Sequence, residues 1–552
     1  MVQQQINQVT QPRERVLLLL TFSQLALQLQ NHPQAIPSST ISPLLVHQML
    51  TQALDLAQQQ QDYRSIAYAE GFLGQLYEKQ QRYVEAQQLT MQAIFHAQNV
   101  PELLYLWEAQ SGRLWQAQHD LSQAKSAYQR ALDYLQPIRA RLTIGQRNIF
   151  TVFREHFAPV YYGLADVLLL QATSATTAKQ KNSLLIEAQQ IIEQLKTAEL
   201  QDYFQDECVS MVTTKATALD ELGEHTAVFY PILLPNRIEL LLNLPTGIRQ
   251  FTVPIPLKQL GEVILTFRKN LQTITTNLFI EQATQLYEWL ITPLQAELVA
   301  NKINTLVVVP EGLLRTIPLT ALYEAKQEKF LLQQLAVVTT PSLTLTDPRP
   351  LPRENVNILI NGLSKGVQDF PPLPNVLLEL KEIQGIFSHN KTLLNQTFLE
   401  DNFSQALKTT PYLIVHIASH GQFSSDPQKT FLLTYDKKLT MNKLEELLRV
   451  NETSAVELLT LSACQTAVGD ERAALGLAGV AIKAGARSAL ASLWFVNDNS
   501  TSQLISEFYR LLKNSQLSKA QALQQAQLQL LEGETFSHPA YWAPFLLIGN
   551  WL

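Results

Sequence analysis

Two rhythms of apolar positions divide the chain. From Val16 to about Phe204 apolar residues recur at three- and four-residue steps, glycine is sparse, and Gln, Ala and Leu dominate. That is the period of helices that bury one face. At about Thr226 the period changes. Residues 228–234 and 237–244 alternate or run apolar around Pro235-Asn236, and residues 249–253 follow Pro245-Thr246-Gly247. This pattern predicts antiparallel hairpin strands. Helices are expected over 257–271 and 279–299, then a buried strand over 305–309 that stops at Pro310-Glu311-Gly312. The proline-rich stretch from Asp347 to Pro352 reads as a linker.

Beyond it, strands and helices alternate. Strands are expected at 356–361, 391–394, 412–418, 457–462 and 488–494, with helices at 376–387, 398–408, 440–448, 475–484, 502–512 and 518–531. Such alternation predicts a mostly parallel sheet covered on both faces, with any site beyond the carboxyl ends of the strands. The expected fold class is multidomain: all-α helical repeats followed by an α/β part. The expected boundaries are residues 1–205, 206–350 and 351–552.

Two segments of the helical part look alike. Leu73-Gly74, Tyr77, Ala86 and Ala93 are matched by Gly112, Trp115, Ala124, Tyr128 and Ala131, with Ala124 following Ala86 by 38 residues. The spacing is near the ~34-residue period of helix–turn–helix tetratricopeptide repeats, which the segments resemble. Gly and Ala let paired helices approach, while Tyr77 and Trp115 are expected to fill the gap between pairs. Residues 80–83 and 118–121 are the expected turns. Stacked repeats build a groove for peptides or partner helices, so a regulatory protein is the expected partner of this region. A plain helical bundle is the alternative.

Composition narrows the chemistry. The net charge is -6 with 16% charged residues, and no Lys/Arg run supplies the cationic face that nucleic acid requires. No stretch reaches the ~18 continuous apolar residues of a membrane span. The two cysteines, Cys208 and Cys464, form no disulfide framework, which points to a reducing cytoplasm. No Cys/His spacing suits zinc, and neither metal nor cofactor is expected.

Two apolar strands end in reactive residues. Tyr412 to Gly421 reads Y-L-I-V-H-I-A-S-H-G, and Val456 to Cys464 reads V-E-L-L-T-L-S-A-C. They place an imidazole, His420, beside a thiol, Cys464, at one edge of a sheet. A neighbouring imidazole assists thiol ionisation. The backbone N–H groups of Cys464 and Gly421 are candidate oxyanion donors, and Gly421 admits a close approach. His416, mid-strand, competes with His420 but suits a buried structural role. Ser419 and Ser462 lack the glycine-flanked elbow of serine hydrolases. Cys208 reads as a packed small hydrophobe. Asn497 and Asp498 fall at the same edge, past the strand ending at Trp494.

H-I-A-S-H-G at 416–421, L-S-A-C-Q-T-A at 461–467, G-L-A-G-V-A-I-K-A-G-A-R-S-A-L-A-S-L-W at 476–494, V-N-D at 496–498 and Y-W-A-P-F-L-L-I-G at 541–549 together resemble a CHAT domain. L-V-V-V-P-E-G-L-L-R-T-I-P-L-T-A-L at 306–322 resembles its middle segment. The resemblance covers roughly residues 220–552. It implies a caspase-like cysteine endopeptidase of the caspase, metacaspase and separase group, mostly bacterial and notably cyanobacterial. It further implies a His420–Cys464 dyad, a protein substrate and a supporting, pseudo-catalytic middle part. Asp498, Trp494 and Asp470 are expected near the substrate, with Asp498 suited to a basic P1 side chain; Glu471 is a further acid nearby. The competing readings are a non-catalytic interaction scaffold and another thiol-dependent reaction such as acyl transfer.

Overall fold

The computed structural model describes residues 5–6, 8–29, 42–143, 153–204, 223–449, 455–462, 464–466, 471–514 and 516–552. The chain forms two compact units, residues 1–195 and 196–552.

The first unit is helical. Its main helices are α1 (Pro12–Leu29), α2 (Pro43–Gln59), α3 (Tyr63–Lys79), α4 (Tyr83–His96), α5 (Pro101–Ala117), α6 (Leu121–Leu135), α7 (Ala158–Thr173) and α8 (Ala178–Phe204). The starts of α3 and α5, and of α4 and α6, are 38 positions apart, so the sequence repeat is a repeat of helix pairs. Asp62 and Asp120 fix two of these starts by accepting from the backbone N–H of Ser65 (3.2 Å) and Gln123 (3.0 Å), which satisfies donors a helix leaves orphaned. Gln81 and His119 make the expected turns with φ of 60° and 64°. Ala86, Ala93, Ala124 and Ala131 are wholly buried. Tyr77 and Trp115 are only half-buried. The deep wedges are instead Trp107, against Gly71, and Tyr128, against Gly112 and Gly163.

The second unit begins within α8, at Lys196. Its strands are β1 (Thr226–Leu234), β2 (Arg237–Leu244), β3 (Gly247–Val253), β4 (Thr305–Val308), β5 (Tyr323–Glu324), β6 (Lys329–Phe330), β7 (Ala336–Thr339), β8 (Asn357–Gly362), β9 (His389–Leu394), β10 (Ile414–Ala418), β11 (Gly421–Phe423), β12 (Phe431–Leu433), β13 (Lys438–Thr440), β14 (Leu458–Leu461), β15 (Cys464–Thr466), β16 (Ser488–Ser492) and β17 (Phe545–Gly549). Its longer helices are α9 (Leu257–Leu271), α10 (Phe279–Leu290), α11 (Val376–Ile386), α12 (Glu400–Thr409), α13 (Met441–Leu448), α14 (Glu471–Ala478), α15 (Asp498–Asn514) and α16 (Lys519–Glu532).

One 11-stranded sheet runs in the order β3-β2-β1-β4-β7-β17-β16-β14-β10-β8-β9. Among the described residues of this sheet, only the β1/β2, β2/β3 and β16/β17 pairings are antiparallel. Residues of β1, β4, β10, β14 and β16 are buried throughout, as strands covered on both faces must be. The segments 206–350 and 351–552 share this sheet. Their join is the C-terminal strand, because β17 lies between β7 and β16. This accounts structurally for the Tyr541–Gly549 motif, whose Trp542 is wholly buried. A second sheet is ordered β13-β12-β11-β15, beyond the alternating strands and helices that the pattern predicts. The stretch expected as one helix over 475–484 is divided, with Gly479 between α14 and a short Val480–Lys483 helix. Gly479 sits against Phe204 and Leu200.

Candidate active site

The site lies beyond the carboxyl ends of the central strands. After β10 the chain turns through Ser419 and His420 into β11. The turn is fixed by the Ser419 hydroxyl, which donates to the Leu433 carbonyl at 2.5 Å, and by the Leu433 N–H, which donates to the His420 carbonyl at 2.8 Å. Gly421 then stands opposite Cys464 in the parallel β11/β15 pairing. Adjacent strands lie about 4.8 Å apart, so the residue before Gly421 is a near neighbour of the cysteine in backbone register.

The His420 ring is held by the segment between β8 and α11. Its Nε2 lies 2.8 Å from the Pro371 carbonyl oxygen. A carbonyl only accepts, so Nε2 carries a hydrogen and Nδ1 is the basic nitrogen of the neutral ring. Phe370 lies against the same imidazole, with centroids 5.2 Å apart and planes at 34°. Phe431 meets Phe370 edge-on at 6.0 Å, and the Lys438 ammonium stands 4.3 Å from the Phe431 ring. A backbone carbonyl leaves no residue-type signature. The only signal was the run Pro371-Pro372-Leu373-Pro374 between β8 and α11.

Asp498 opens α15 and accepts from the Asn375 backbone N–H at 2.7 Å. Burial pushes its carboxyl above the ordinary aspartate value, with Glu379 adding to the shift, opposed in part by that N–H, the Asn375 side chain and His420. Asn497 is committed to the same helix start, accepting from the N–H groups of Asn499 (3.0 Å) and Ser500 (3.3 Å). Trp494 is buried and donates its indole N–H to the Ala540 carbonyl at 3.2 Å. The exposed aromatic beside it is Phe495, at 51% exposure. Asp470 and Cys208 lie outside the described residues, and Ser462 is buried.

His416 is a different kind of histidine. It is wholly buried in β10, with Nε2 3.0 Å from Glu379 Oε1 on α11 and Nδ1 3.3 Å from the Tyr509 hydroxyl on α15. Tyr509 donates to Thr460 of β14 at 2.7 Å. Among the described residues, no three His, Cys, Asp or Glu side chains group to hold a metal ion. No helix among them is long and apolar enough to cross a membrane.

Residues 281–550 match the CHAT domain. No curated protein sequence matches the chain. Among solved structures, the chain is similar to a chain of the Saccharomyces cerevisiae separase–securin complex, with a TM-score of 0.46 and 10% identity. That similarity covers 99% of this chain and 48% of the other, so this chain spans about half the length of the structure it resembles. Strands β1–β3 precede the matched residues yet extend the same sheet. The C-terminal α/β unit thus carries a CHAT domain, over residues 281–550.

Proposed function

We propose that the second unit is a caspase-like cysteine endopeptidase acting through Cys464 and His420. The observation that carries this reading is the β11/β15 register, which sets Gly421 opposite Cys464 directly after a histidine whose Nε2 hydrogen is held by the Pro371 carbonyl. In the reading, Nδ1 takes the thiol proton and the thiolate attacks the scissile carbonyl carbon. The N–H groups of Cys464 and Gly421 stabilise the oxyanion. The protonated His420 returns its proton to the leaving amine as the C–N bond breaks. Water then attacks the thioester, passing a proton to His420, and the carboxylic acid leaves as the C–S bond breaks.

The helical unit is the proposed recruiter of a protein substrate or a regulatory protein. A groove of about 780 Å³ in that unit, lined in part by Tyr68, Phe72, Tyr105, Gln110 and Arg113, supports this. Its 38-residue helix pairs fit tetratricopeptide-like repeats. A cytoplasmic setting suits a thiol enzyme.

The test is an active-site-directed peptidyl electrophile. Labelling of Cys464 in the wild type and its loss in His420→Ala support the peptidase. A proteome digest that yields no peptide dependent on Cys464 would establish the scaffold reading instead.

A further inference from the structure

We propose that Asp498 is the positioning residue of the dyad: by binding the Asn375 N–H it anchors the 370–375 segment, whose Pro371 carbonyl and Phe370 ring fix the His420 imidazole. The proposal rests on the peptidase reading for its catalytic consequence, but not for its structural claim.

The chain of contacts is short. Both groups that hold the imidazole, the Pro371 carbonyl at 2.8 Å and the Phe370 ring at 5.2 Å, come from adjacent residues of one segment. That segment has few ways of fixing itself, because Pro371, Pro372 and Pro374 bring no backbone N–H. Its remaining donors go to definite places. Phe370 N–H reaches the Val367 carbonyl at 3.1 Å, Leu373 N–H reaches the Ser364 carbonyl at 3.1 Å, and Asn375 N–H, the one nearest α11, reaches Asp498 Oδ2 at 2.7 Å.

The second bond falls where a helix needs an acceptor. Asn375 precedes α11 and makes no side-chain cap of its own, so the carboxylate of Asp498 serves that end from outside. Asp498 is also the first residue of α15. One carboxylate therefore sits at the positive ends of two helices, and its bond to the amide is charge-assisted. The arrangement ties the loop after β8 to the loop after β16, with His420 between them in the sheet order.

This role differs from recognition of a basic P1 side chain, which needs the charge rather than the hydrogen bond. Three variants of the full chain separate the two. Asp498→Asn keeps an acceptor and loses the charge. Asp498→Ala loses both. Asn375→Pro keeps Asp498 and removes the donor, at a position whose φ of -73° suits proline, with Asn375→Ala as the control for the lost side chain.

The first readout is the His420 ring 1H–13C resonance pair, assigned with His420→Ala. Positioning predicts that Asp498→Ala and Asn375→Pro both displace or broaden it, while Asp498→Asn leaves it near the wild-type position. An unchanged resonance in Asn375→Pro and Asp498→Ala overturns the proposal. So does a displacement in Asp498→Asn equal to that in Asp498→Ala with none in Asn375→Pro. The second readout is the pH profile of Cys464 alkylation by iodoacetamide, resolved from Cys208 by peptide mapping. The two donor–acceptor-breaking variants are expected to slow it on the order of tenfold near neutral pH, well within what misplacing a catalytic group by 1 Å costs. A His420→Ala profile equal to wild type would sink the dyad itself, while the resonances still decide whether Asp498 positions the ring.

Discussion

The Tyr203 hydroxyl donates to the Ser424 carbonyl oxygen at 2.7 Å. Ser424 follows β11, the strand that begins directly after His420. The same tyrosine packs over Gly476 in α14, where any Cβ would overlap its hydroxyl. Helix α14 is the first helix after β15 and Cys464 among the described residues. One side chain from the end of α8 therefore touches both segments that leave the proposed dyad. Gly476→Ala is expected to cost about 1–3 kcal/mol by overpacking, and Tyr203→Phe about 1 kcal/mol through the lost hydrogen bond. Both should slow Cys464 labelling by a peptidyl electrophile, with Gly476→Ala the slower. Denaturant titration followed by labelling in the absence of denaturant checks this. Wild-type labelling in Gly476→Ala would show that the contact serves stability alone.

His416 and His420 should separate cleanly by variant. His416 faces Glu379, and both are buried to 1% exposure or less. Its removal opens a cavity beside Glu379 and the Tyr509 ring, and truncating a buried side chain of this size typically costs about 2–5 kcal/mol. His416→Ala is therefore expected to lower the midpoint of unfolding sharply while the folded fraction still labels at Cys464. His420 is half-exposed at the sheet edge, so His420→Ala should change the midpoint little and abolish labelling. The reverse pattern would exchange the two assignments.

Much of this was legible because it depends on periodicity. The β10 and β14 strands read as apolar runs, and their ends put His420 and Cys464 on one edge. The 38-residue spacing found the helix pairs. What could not be read was held by groups without a pattern. The Pro371 carbonyl is a backbone atom, and Asp498 finds Asn375 across 123 residues. Strands β11, β12, β13 and β15 are only three residues long each, too short to show an alternation. Tyr77 and Trp115 are the expected gap-fillers by their place in the repeat, but Trp107 and Tyr128 are the ones opposite glycines.

That glycine pairing makes a prediction for the helical unit. Tyr128 of α6 lies against Gly112 of α5 and Gly163 of α7, and a Cβ at either position would overlap its ring. Gly163→Ala gains a better helix former but must displace a ring that is only 3% exposed. The clash should win, because about 1 kcal/mol of helix propensity is set against about 1–3 kcal/mol of overpacking. Replacing Tyr128 by Leu in the same chain should recover part of the loss. Melting of the double variant, followed by circular dichroism, distinguishes this from simple additivity.

A buried carboxyl cluster predicts how stability depends on pH. Arg315 pairs with Glu199, and Lys196 lies 3.9 Å from Glu199 and 4.0 Å from Glu311. Burial pushes Glu199 up, but Arg315 and Lys196 outweigh it and hold that carboxyl below its ordinary value. Glu311 is left with the smaller share of positive charge. Burial pushes it up to about 8, although Arg315 and the Leu233 N–H, 3.3 Å from Oε2, oppose the shift. The folded state thus holds a proton on Glu311 at pH values where the unfolded chain, near 4.5, has lost it. Its contribution is fully present below the unfolded value and is lost as pH rises through the folded one. The slope approaches about 1.4 kcal/mol per pH unit within that window. Urea midpoints of the wild type should fall between pH 5 and 8, and Glu311→Gln, which keeps the neutral shape, should flatten that fall. A wild-type slope in Glu311→Gln would assign the titration to another member of the cluster.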